Sequence, residues 1–171
     1  MTEQSFLKIQ SYFKTHDTSF KILKFVYKYL PWTVHLGYPA LLAFLFFQLY
    51  AGKCGVQDFT KAVAIPLLTL IIATILRKLI NAPRPYEKYS FSPLAHKDTR
   101  GQSFPSRHSA SVFIISMTFL YFNPFLGAVC FFIGIIMVST RVLVGVHFIK
   151  DIVAGALLST AMGMLFYINF I

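Results

Sequence analysis

A histidine and an aspartate, His147 and Asp151, lie four residues apart near the end of the chain. At this spacing two side chains share one face of a helix. A carboxylate beside an imidazole fixes the ring tautomer and raises its basicity, so that the other ring nitrogen can act as base, metal ligand or nucleophile. The pair predicts a chemical centre, although an interfacial ion pair of Asp151 with Lys150 or Arg141 would have the same spacing.

A second candidate is the segment Ser106-Arg107-His108, which follows Pro105 where a helix is predicted to start. Serine is a good N-cap residue, and the free N–H groups of a helix start favour anions. Arg107 adds positive charge and His108 adds a titratable proton. The simpler alternative is an ordinary helix start with Arg107 among the lipid headgroups.

Three further arginines accompany these segments. Arg77 ends an apolar stretch, Arg84 is followed by a proline that favours an extended backbone, and Arg141 lies near the end of another apolar stretch. An ionisable residue within a membrane helix costs about 2.5–3.5 kcal/mol, so it indicates function by default. For Arg77 and Lys78, anchoring at the membrane surface is an equal alternative.

The composition is that of a membrane protein. Of 171 residues, 56% are hydrophobic and 13% are charged, and the mean hydropathy is +0.64. A soluble domain would be far more polar. The net charge of +10 is explained by basic residues that flank membrane spans and face anionic lipid, so we expect the bilayer as a partner and no nucleic acid.

Apolar runs predict an all-α fold, a polytopic helical bundle forming one membrane domain over residues 1–171. Residues 1–32 form an N-terminal amphipathic segment, in which residues 5–30 are predicted to lie in the membrane interface as one or two helices. A polar loop rich in turn formers occupies residues 81–105. Five transmembrane helices are predicted, with a sixth, poor span near 18–33 as the alternative: about 33–51, 58–80, 106–122, 124–144 and 147–170.

Since successive spans alternate in direction, this topology brings the polar segments to one membrane face. All five arginines of the chain lie on that face. They are found at the end of span 58–80, in the polar loop, and at those ends of the later spans that lie on the same face. These segments also contain His96, His108, His147 and Asp151.

This combination predicts a phosphate site. Phosphoryl transfer spreads charge over equatorial oxygens, and its catalysis needs fixed cations or N–H donors, a nucleophile and a proton donor. Carboxylates, which divalent metals prefer, are few in these segments. We therefore predict phosphoryl chemistry without a metal.

The residues at this face resemble the three motifs of the type 2 phosphatidic acid phosphatase superfamily. The family patterns are Lys, six residues, Arg-Pro; then Pro-Ser-Gly-His; then Ser-Arg, five residues, His, three residues, Asp. The matching positions, within a resemblance that covers about residues 60–170, are Arg77 with Arg84-Pro85, Pro105-Ser106-Arg107-His108, and Thr140-Arg141 with His147 and Asp151.

Three positions depart from the family patterns. Arg77 replaces lysine and changes the donor geometry, Arg107 replaces glycine but keeps its backbone N–H, and Thr140 replaces serine and keeps a hydroxyl. None removes a proton-transfer group. The departures affect the expected substrate more than the expected activity.

The resemblance implies a role for each matching residue. His147 would attack phosphorus to form a phosphohistidine, Asp151 would orient it, and His108 would protonate the leaving oxygen before water hydrolyses the intermediate. No cofactor or metal is implied. Phosphate would be held by Arg77, Arg84, Ser106, Arg107 and Arg141, and candidates for headgroup contacts are Lys78, Tyr86 and Lys88.

We therefore expect an integral-membrane lipid phosphatase acting on a phosphate monoester or a pyrophosphate, such as phosphatidate, phosphatidylglycerol phosphate or undecaprenyl pyrophosphate. The alternatives are a lipid phosphotransferase with the same phosphohistidine, and a non-catalytic lipid transporter or anion-binding membrane protein. A haloperoxidase, which would share the arrangement of these motifs, is disfavoured by the predicted membrane spans.

The expected location is the cell membrane. A count of basic residues would place the catalytic face in the cytoplasm, but several of those residues are explained by phosphate binding. The resemblance favours an extracytoplasmic site, and the oligomeric state is left open.

Overall fold

The computed structural model describes residues 1–89, 91–95, 97 and 99–168, and within these ranges it contains α-helices and no β-strand. The last α-helix, α7, continues as a π-helical turn over Met164–Ile168. In chain order the α-helices of these ranges are α1 (Glu3–Thr15), α2 (Asp17–Tyr50), α3 (Val56–Ile80), α4 (Pro85–Lys88), α5 (Arg107–Phe122), α6 (Pro124–Leu143) and α7 (Ile149–Gly163).

Four stretches of the described residues are long and apolar enough to cross a membrane. They are Asp17–Tyr50, Val56–Lys88, Pro124–Leu143 and Ile149–Tyr167. The remaining long helix, α5, has 16 residues and a length of about 24 Å. The chain is thus an all-α membrane helical bundle, as the apolar runs predicted.

Helix α5 forms the centre of the bundle, and nearly every residue of its middle turns is buried. Near its C-terminal end the Tyr121 hydroxyl donates to Asp58 Oδ1 at 2.7 Å, at the start of α3. Near its N-terminal end the Arg77 Nη1 group, from the end of α3, donates to the Pro105 carbonyl at 3.4 Å. The two helices are therefore antiparallel, and α5 runs the length of the bundle as the alternation of spans requires.

The predicted boundary between an interfacial segment and a first span near residue 33 is wrong. Residues 17–50 form one helix that passes through Pro31, so the alternative of a separate sixth span near 18–33 is not formed either. The physical reason is tertiary packing: Leu23 packs with Val144 and Val146 at the end of α6. An apolar stripe that suits a membrane surface suits a neighbouring helix equally well.

Helix α1 packs onto the polar loop through Phe6, which is 1% exposed. The Phe6 ring lies 5.4 Å from the ring of Phe91 and 5.8 Å from that of Phe148. The amide of Gln10 donates to the Ser92 carbonyl at 2.8 Å. The N-terminus therefore braces the loop and the residue that follows His147.

Candidate active site

A polar cavity of about 130 Å³ lies at the end of the bundle where α3 ends and α5 begins. The alternation of spans predicts that the candidate catalytic and phosphate-binding residues lie at this end. Six of those residues line the cavity, namely Arg77, Arg84, Arg107, His108, Arg141 and His147, and with them Tyr27, Lys97, Thr99, Gln102 and Val146. We call this space the catalytic cavity.

His147 is held from the side of its Nδ1 atom. Nδ1 lies 3.4 Å from Asp151 Oδ2 and 3.3 Å from Ser103 Oγ. Asp151 Oδ2 also accepts from Ser103 Oγ at 2.5 Å and from the Phe148 backbone N–H at 2.9 Å. With Nδ1–H directed at the carboxylate, Nε2 is the ring nitrogen that keeps a lone pair.

The turn between α6 and α7 places His147 at the cavity wall. Gly145 has a φ of +87°, which L side chains rarely adopt. The backbone N–H groups of Val146 and His147 both donate to the Arg141 carbonyl, at 3.0 and 3.3 Å. This tight return explains how Arg141 and His147, on successive helices, line the same cavity.

The His147 ring lies in this turn, outside the membrane-spanning helices. Burial lowers the pKa of His147 below its ordinary value, and the positive charges of Arg84 and Arg77 act in the same direction. The Asp151 carboxylate opposes them. A lowered pKa keeps the imidazole neutral, which is the form a nucleophile requires.

Arg84 is anchored by the loop that carries it. Its Nε group donates to the Gly101 carbonyl at 3.1 Å, and its Nη1 group donates to the Val146 carbonyl at 3.3 Å. The Glu87 carboxylate accepts from the Arg84 backbone N–H at 2.7 Å and from the Gly101 N–H at 2.9 and 3.0 Å. Glu87 thus fixes both the start of α4 and Gly101, whose φ is +61°.

Arg141 reaches the cavity under the ring of Tyr27, whose centroid lies 4.1 Å from the guanidinium carbon. Arg141 is 5% exposed, and its Nε group has no hydrogen-bond partner among the described residues. A buried charged donor without a partner costs free energy. Such a donor at a cavity wall is suited to an anionic ligand.

Ser106 supports the start of α5 from behind the cavity. Its hydroxyl accepts from the Ser109 N–H at 3.4 Å as an N-cap, and its own N–H donates to the Asp151 carbonyl at 2.9 Å. A Cβ atom at Gly155 would lie 2.6 Å from the Ser106 carbonyl oxygen, so glycine permits this close approach of α5 and α7. In this structure Ser106 positions neighbouring groups, and its predicted contact with phosphate stays a prediction.

Lys97 is a cavity residue that the sequence motifs did not indicate. Burial lowers its pKa below the ordinary value for lysine, and the charges of Arg84, Arg141, Arg107 and Arg77 lower it further. No characteristic spacing relates Lys97 to the motif residues. Only its position in the polar loop could have suggested that it lies near the site.

The candidates for headgroup contacts differ in position. Tyr86 lies beside the catalytic cavity, in a polar cavity that it shares with Glu87, Lys97 and Arg100, and its hydroxyl donates to the Thr99 carbonyl. Lys78 and Lys88 are exposed and do not line the catalytic cavity. His96, expected at the same face, lies outside the described residues.

Comparison with known proteins identifies the family. The model of the PAP2 superfamily matches residues 59–170, which is most of the chain and contains all three motifs. The chain belongs to the PAP2 superfamily. This confirms the resemblance that the motifs indicated. The expected effects of the departures at Arg77, Arg107 and Thr140 stay predictions.

Individual PAP2 relatives are similar to this chain over part of its length. It is 32% identical to the lipid A 1-phosphatase of Rhizobium etli over 112 residues, which are 63% of this chain and 46% of that protein. It is 25% identical to the undecaprenyl-diphosphatase BcrC of Bacillus subtilis over 119 residues, 70% of this chain and 55% of that protein. The chain therefore spans about half the length of these curated relatives.

The PAP2 fold is also seen in a solved structure. The crystal structure of Aquifex aeolicus LpxE superimposes with a TM-score of 0.64 at 20% sequence identity, covering 88% of this chain and 94% of that one. At this identity the similarity concerns the fold. The roles of individual residues in the present chain, and the absence of a metal from its chemistry, stay predictions.

Proposed function

We propose that this PAP2 chain is an integral-membrane lipid phosphatase that hydrolyses a phosphate monoester or diphosphate of a lipid. One observation carries the proposal. His147 is braced by Asp151 and Ser103 at the wall of a cavity that is also lined by Arg77, Arg84, Arg107 and Arg141. A neutral nucleophile beside several fixed cations fits the demands of phosphoryl transfer.

In the first step Nε2 of His147 attacks phosphorus. A nitrogen–phosphorus bond forms, the bond from phosphorus to the lipid oxygen breaks, and His108 gives its proton to the leaving oxygen. Asp151 stabilises the positive charge that develops on the His147 ring. The products of this step are a phosphohistidine and the lipid with one phosphate fewer, an alcohol from a monoester and a monophosphate from a diphosphate.

In the second step water attacks the phosphohistidine. His108, now neutral, takes a proton from the water as an oxygen–phosphorus bond forms and the nitrogen–phosphorus bond breaks. Inorganic phosphate leaves, and both histidines return to their starting protonation states. Throughout, the arginine side chains stabilise the charge on the equatorial phosphoryl oxygens.

The substrate is proposed to be a membrane lipid whose phosphate reaches the cavity from the bilayer. Phosphatidate, phosphatidylglycerol phosphate and undecaprenyl pyrophosphate are the candidates, and two relatives are phosphatases of lipid A and of an undecaprenyl diphosphate by name. The proposed location is the cell membrane, with the catalytic cavity on its extracytoplasmic side.

The test is phosphate release by purified protein in detergent, with a chelator present, from each of these lipids. We expect release from at least one lipid, and a loss of about 1,000-fold or more when His147 is replaced by alanine, since removal of a nucleophile abolishes the covalent route. Full turnover by His147→Ala would overturn the proposal. A matched control is His16→Ala, which changes an exposed histidine at the start of α2.

A phosphotransferase would use the same first step and differ only in the acceptor. Product analysis with and without an added alcohol separates the two activities. We expect inorganic phosphate as the main product in both cases. Transfer to the alcohol with little free phosphate would assign the chain to the second class.

Orientation has its own test. In a background where Cys54 and Cys130 are replaced by alanine, single cysteines replace Ser92 in the polar loop or Lys53 in the turn between α2 and α3. We expect a membrane-impermeant maleimide added to intact cells to label Ser92→Cys and not Lys53→Cys. The reverse pattern would place the catalytic cavity in the cytoplasm.

A further inference from the structure

Beside the catalytic cavity lies a second one of about 270 Å³, between α2, α3 and α5, which we call the side cavity. It is lined by His35, Leu70, Thr74, Arg107, His108 and Ser111. Arg107 and His108 also line the catalytic cavity, so these two residues separate the two spaces. None of the three family motifs contains His35, Thr74 or Ser111.

The side cavity leads on to an apolar groove of about 460 Å³ between α2 and α3. The two spaces share His35, Leu70 and Ser111, and the groove is otherwise lined mainly by apolar side chains such as Val34, Leu42 and Leu67. Moving outward from His147, the order is therefore the cationic catalytic cavity, the side cavity and the larger apolar groove. We expect the apolar groove to hold one hydrocarbon chain of the lipid.

The position of His108 decides which part of the substrate lies in the side cavity. In the proposed mechanism His108 protonates the oxygen that leaves, so the atoms beyond that oxygen lie on its far side, towards the side cavity. In a phosphate monoester those atoms are carbon and gain nothing from cationic neighbours. In a diphosphate the next group is a second, anionic phosphate, which the Arg107 guanidinium complements.

His35 adds a second hydrogen-bonding group to that wall. Its Nδ1 atom lies 2.6 Å from the Pro31 carbonyl one helical turn earlier, an arrangement in which Nδ1–H donates to the carbonyl and fixes the ring. Nε2 is then the ring nitrogen left to hydrogen-bond a phosphate group in the side cavity. Because this hydrogen bond holds the His35 ring in place before a ligand binds, less side-chain conformational entropy is lost on binding.

We infer that the side cavity binds the lipid-side phosphate of a diphosphate lipid with a single hydrocarbon chain, and that His35 is a specificity-determining residue for that phosphate. This inference rests on the proposed function, because it assigns the terminal phosphate to the catalytic cavity. It narrows the substrate class from lipid phosphates in general to lipid diphosphates with one hydrocarbon chain.

The test compares farnesyl diphosphate with farnesyl monophosphate, which share a chain and differ by one phosphate. The readout is the ratio of kcat/KM for the diphosphate to kcat/KM for the monophosphate. A hydrogen bond to a charged group contributes enough for a change of about tenfold or more. We expect the ratio to fall by about that factor in His35→Ala and in His35→Phe, which keeps a ring.

Two variants make the result specific. His35→Arg places a cationic donor at this position and is expected to recover most of the ratio. Thr33→Ala, on the same helix, removes a hydroxyl whose hydrogen bond within the described part of the chain goes to the Leu30 carbonyl at 2.7 Å, and it is expected to leave the ratio unchanged. An unchanged ratio in both His35→Ala and His35→Phe would overturn the inference.

Failure of this inference is distinguishable from failure of the proposed function. If the wild-type chain releases phosphate from lipids and needs His147, but the ratio does not depend on His35, only the inference fails. If the wild-type chain releases phosphate from neither farnesyl compound nor any other lipid phosphate, the proposed function fails and the inference fails with it.

Discussion

The ring of Tyr27 lies over the guanidinium group of Arg141, with 4.1 Å between the ring centroid and the guanidinium carbon. This contact joins α2, which lies outside the matched family region, to an arginine of the third motif. A cation on an aromatic face is worth about 2 kcal/mol when desolvated. The N-terminal part of the chain therefore helps to hold the phosphate-binding wall.

Replacing Tyr27 tests that relationship. Tyr27→Ala removes the ring, frees the Arg141 side chain and is expected to lower kcat/KM for lipid phosphate by about 10-fold or more. Tyr27→Phe keeps the aromatic face and is expected to retain most of the activity. Equal losses in the two variants, measured as steady-state phosphate release, would mean that the hydroxyl rather than the ring matters.

Glu87 provides the next prediction, since its carboxylate holds both the Arg84 and the Gly101 backbone N–H groups. Hydrogen bonds to a charged acceptor contribute about 1.5–3 kcal/mol. Glu87→Gln is therefore expected to lower kcat/KM by about 10-fold or more, through a looser Arg84. The control is Glu3→Gln in the exposed first turn of α1, and a similar small effect of both variants would contradict the prediction.

Much of this site could be predicted from the sequence because alternating spans have few arrangements. Once Arg77, Arg107, Arg141 and His147 were placed at the ends of apolar runs, topology brought them to one face. The short-range contacts could not be predicted in this way. Ser103 and Glu87 act through a loop that folds back on itself, and loop geometry depends on backbone turns rather than on periodicity.

The course of α2 shows a different limit. The stripe that contains Leu23 and Tyr27 is amphipathic whether it faces lipid headgroups or another helix, so periodicity alone could not choose between them. Packing against the end of α6 decides it.

For the position of Glu87 the sequence did contain a signal. Glu87 stands three residues after Arg84, which is the spacing of a capping box at a helix start.

Close contact of α5 and α7 gives a prediction about both stability and activity. A Cβ atom at Gly155 would lie 2.6 Å from the Ser106 carbonyl oxygen, so Gly155→Ala forces the helices apart. Overpacking costs about 1–3 kcal/mol, and the contact between Ser106 and Asp151 is lost with it. We expect a lower Tm in detergent and a reduced kcat.

The matched control for that variant is Gly37→Ala, where the nearest atom to an added Cβ is Phe119 Cζ at 4.0 Å. This substitution fits without displacement and is expected to leave Tm and kcat close to the wild-type values. If Gly155→Ala behaves like Gly37→Ala, the close approach does not constrain the site.

The pH dependence follows from the lowered pKa of His147. A nucleophile must be neutral, and burial keeps the pKa of this ring below the ordinary value of about 6.5. Activity limited by His147 is therefore retained as the pH falls below 6.5 and is lost only when the pH passes through the lowered pKa. The profile of kcat/KM against pH measures this acid limb.

Asp151→Asn sharpens the same measurement. It removes the carboxylate that favours the charged imidazole, so the pKa of His147 falls further and the acid limb moves to lower pH, while kcat falls because the ring loses its orienting partner. Asp17→Asn, at an exposed position on α2, is the control. Movement of the limb to higher pH in Asp151→Asn would contradict the assigned pairing.

If phosphate passes through His147, the stereochemical course at phosphorus records two displacements. Two in-line displacements, one by His147 and one by water, each invert phosphorus. We predict that hydrolysis of a farnesyl phosphorothioate made chiral with oxygen isotopes gives thiophosphate with net retention of configuration. Net inversion would show a single direct attack by water and would rule out a phosphohistidine at His147.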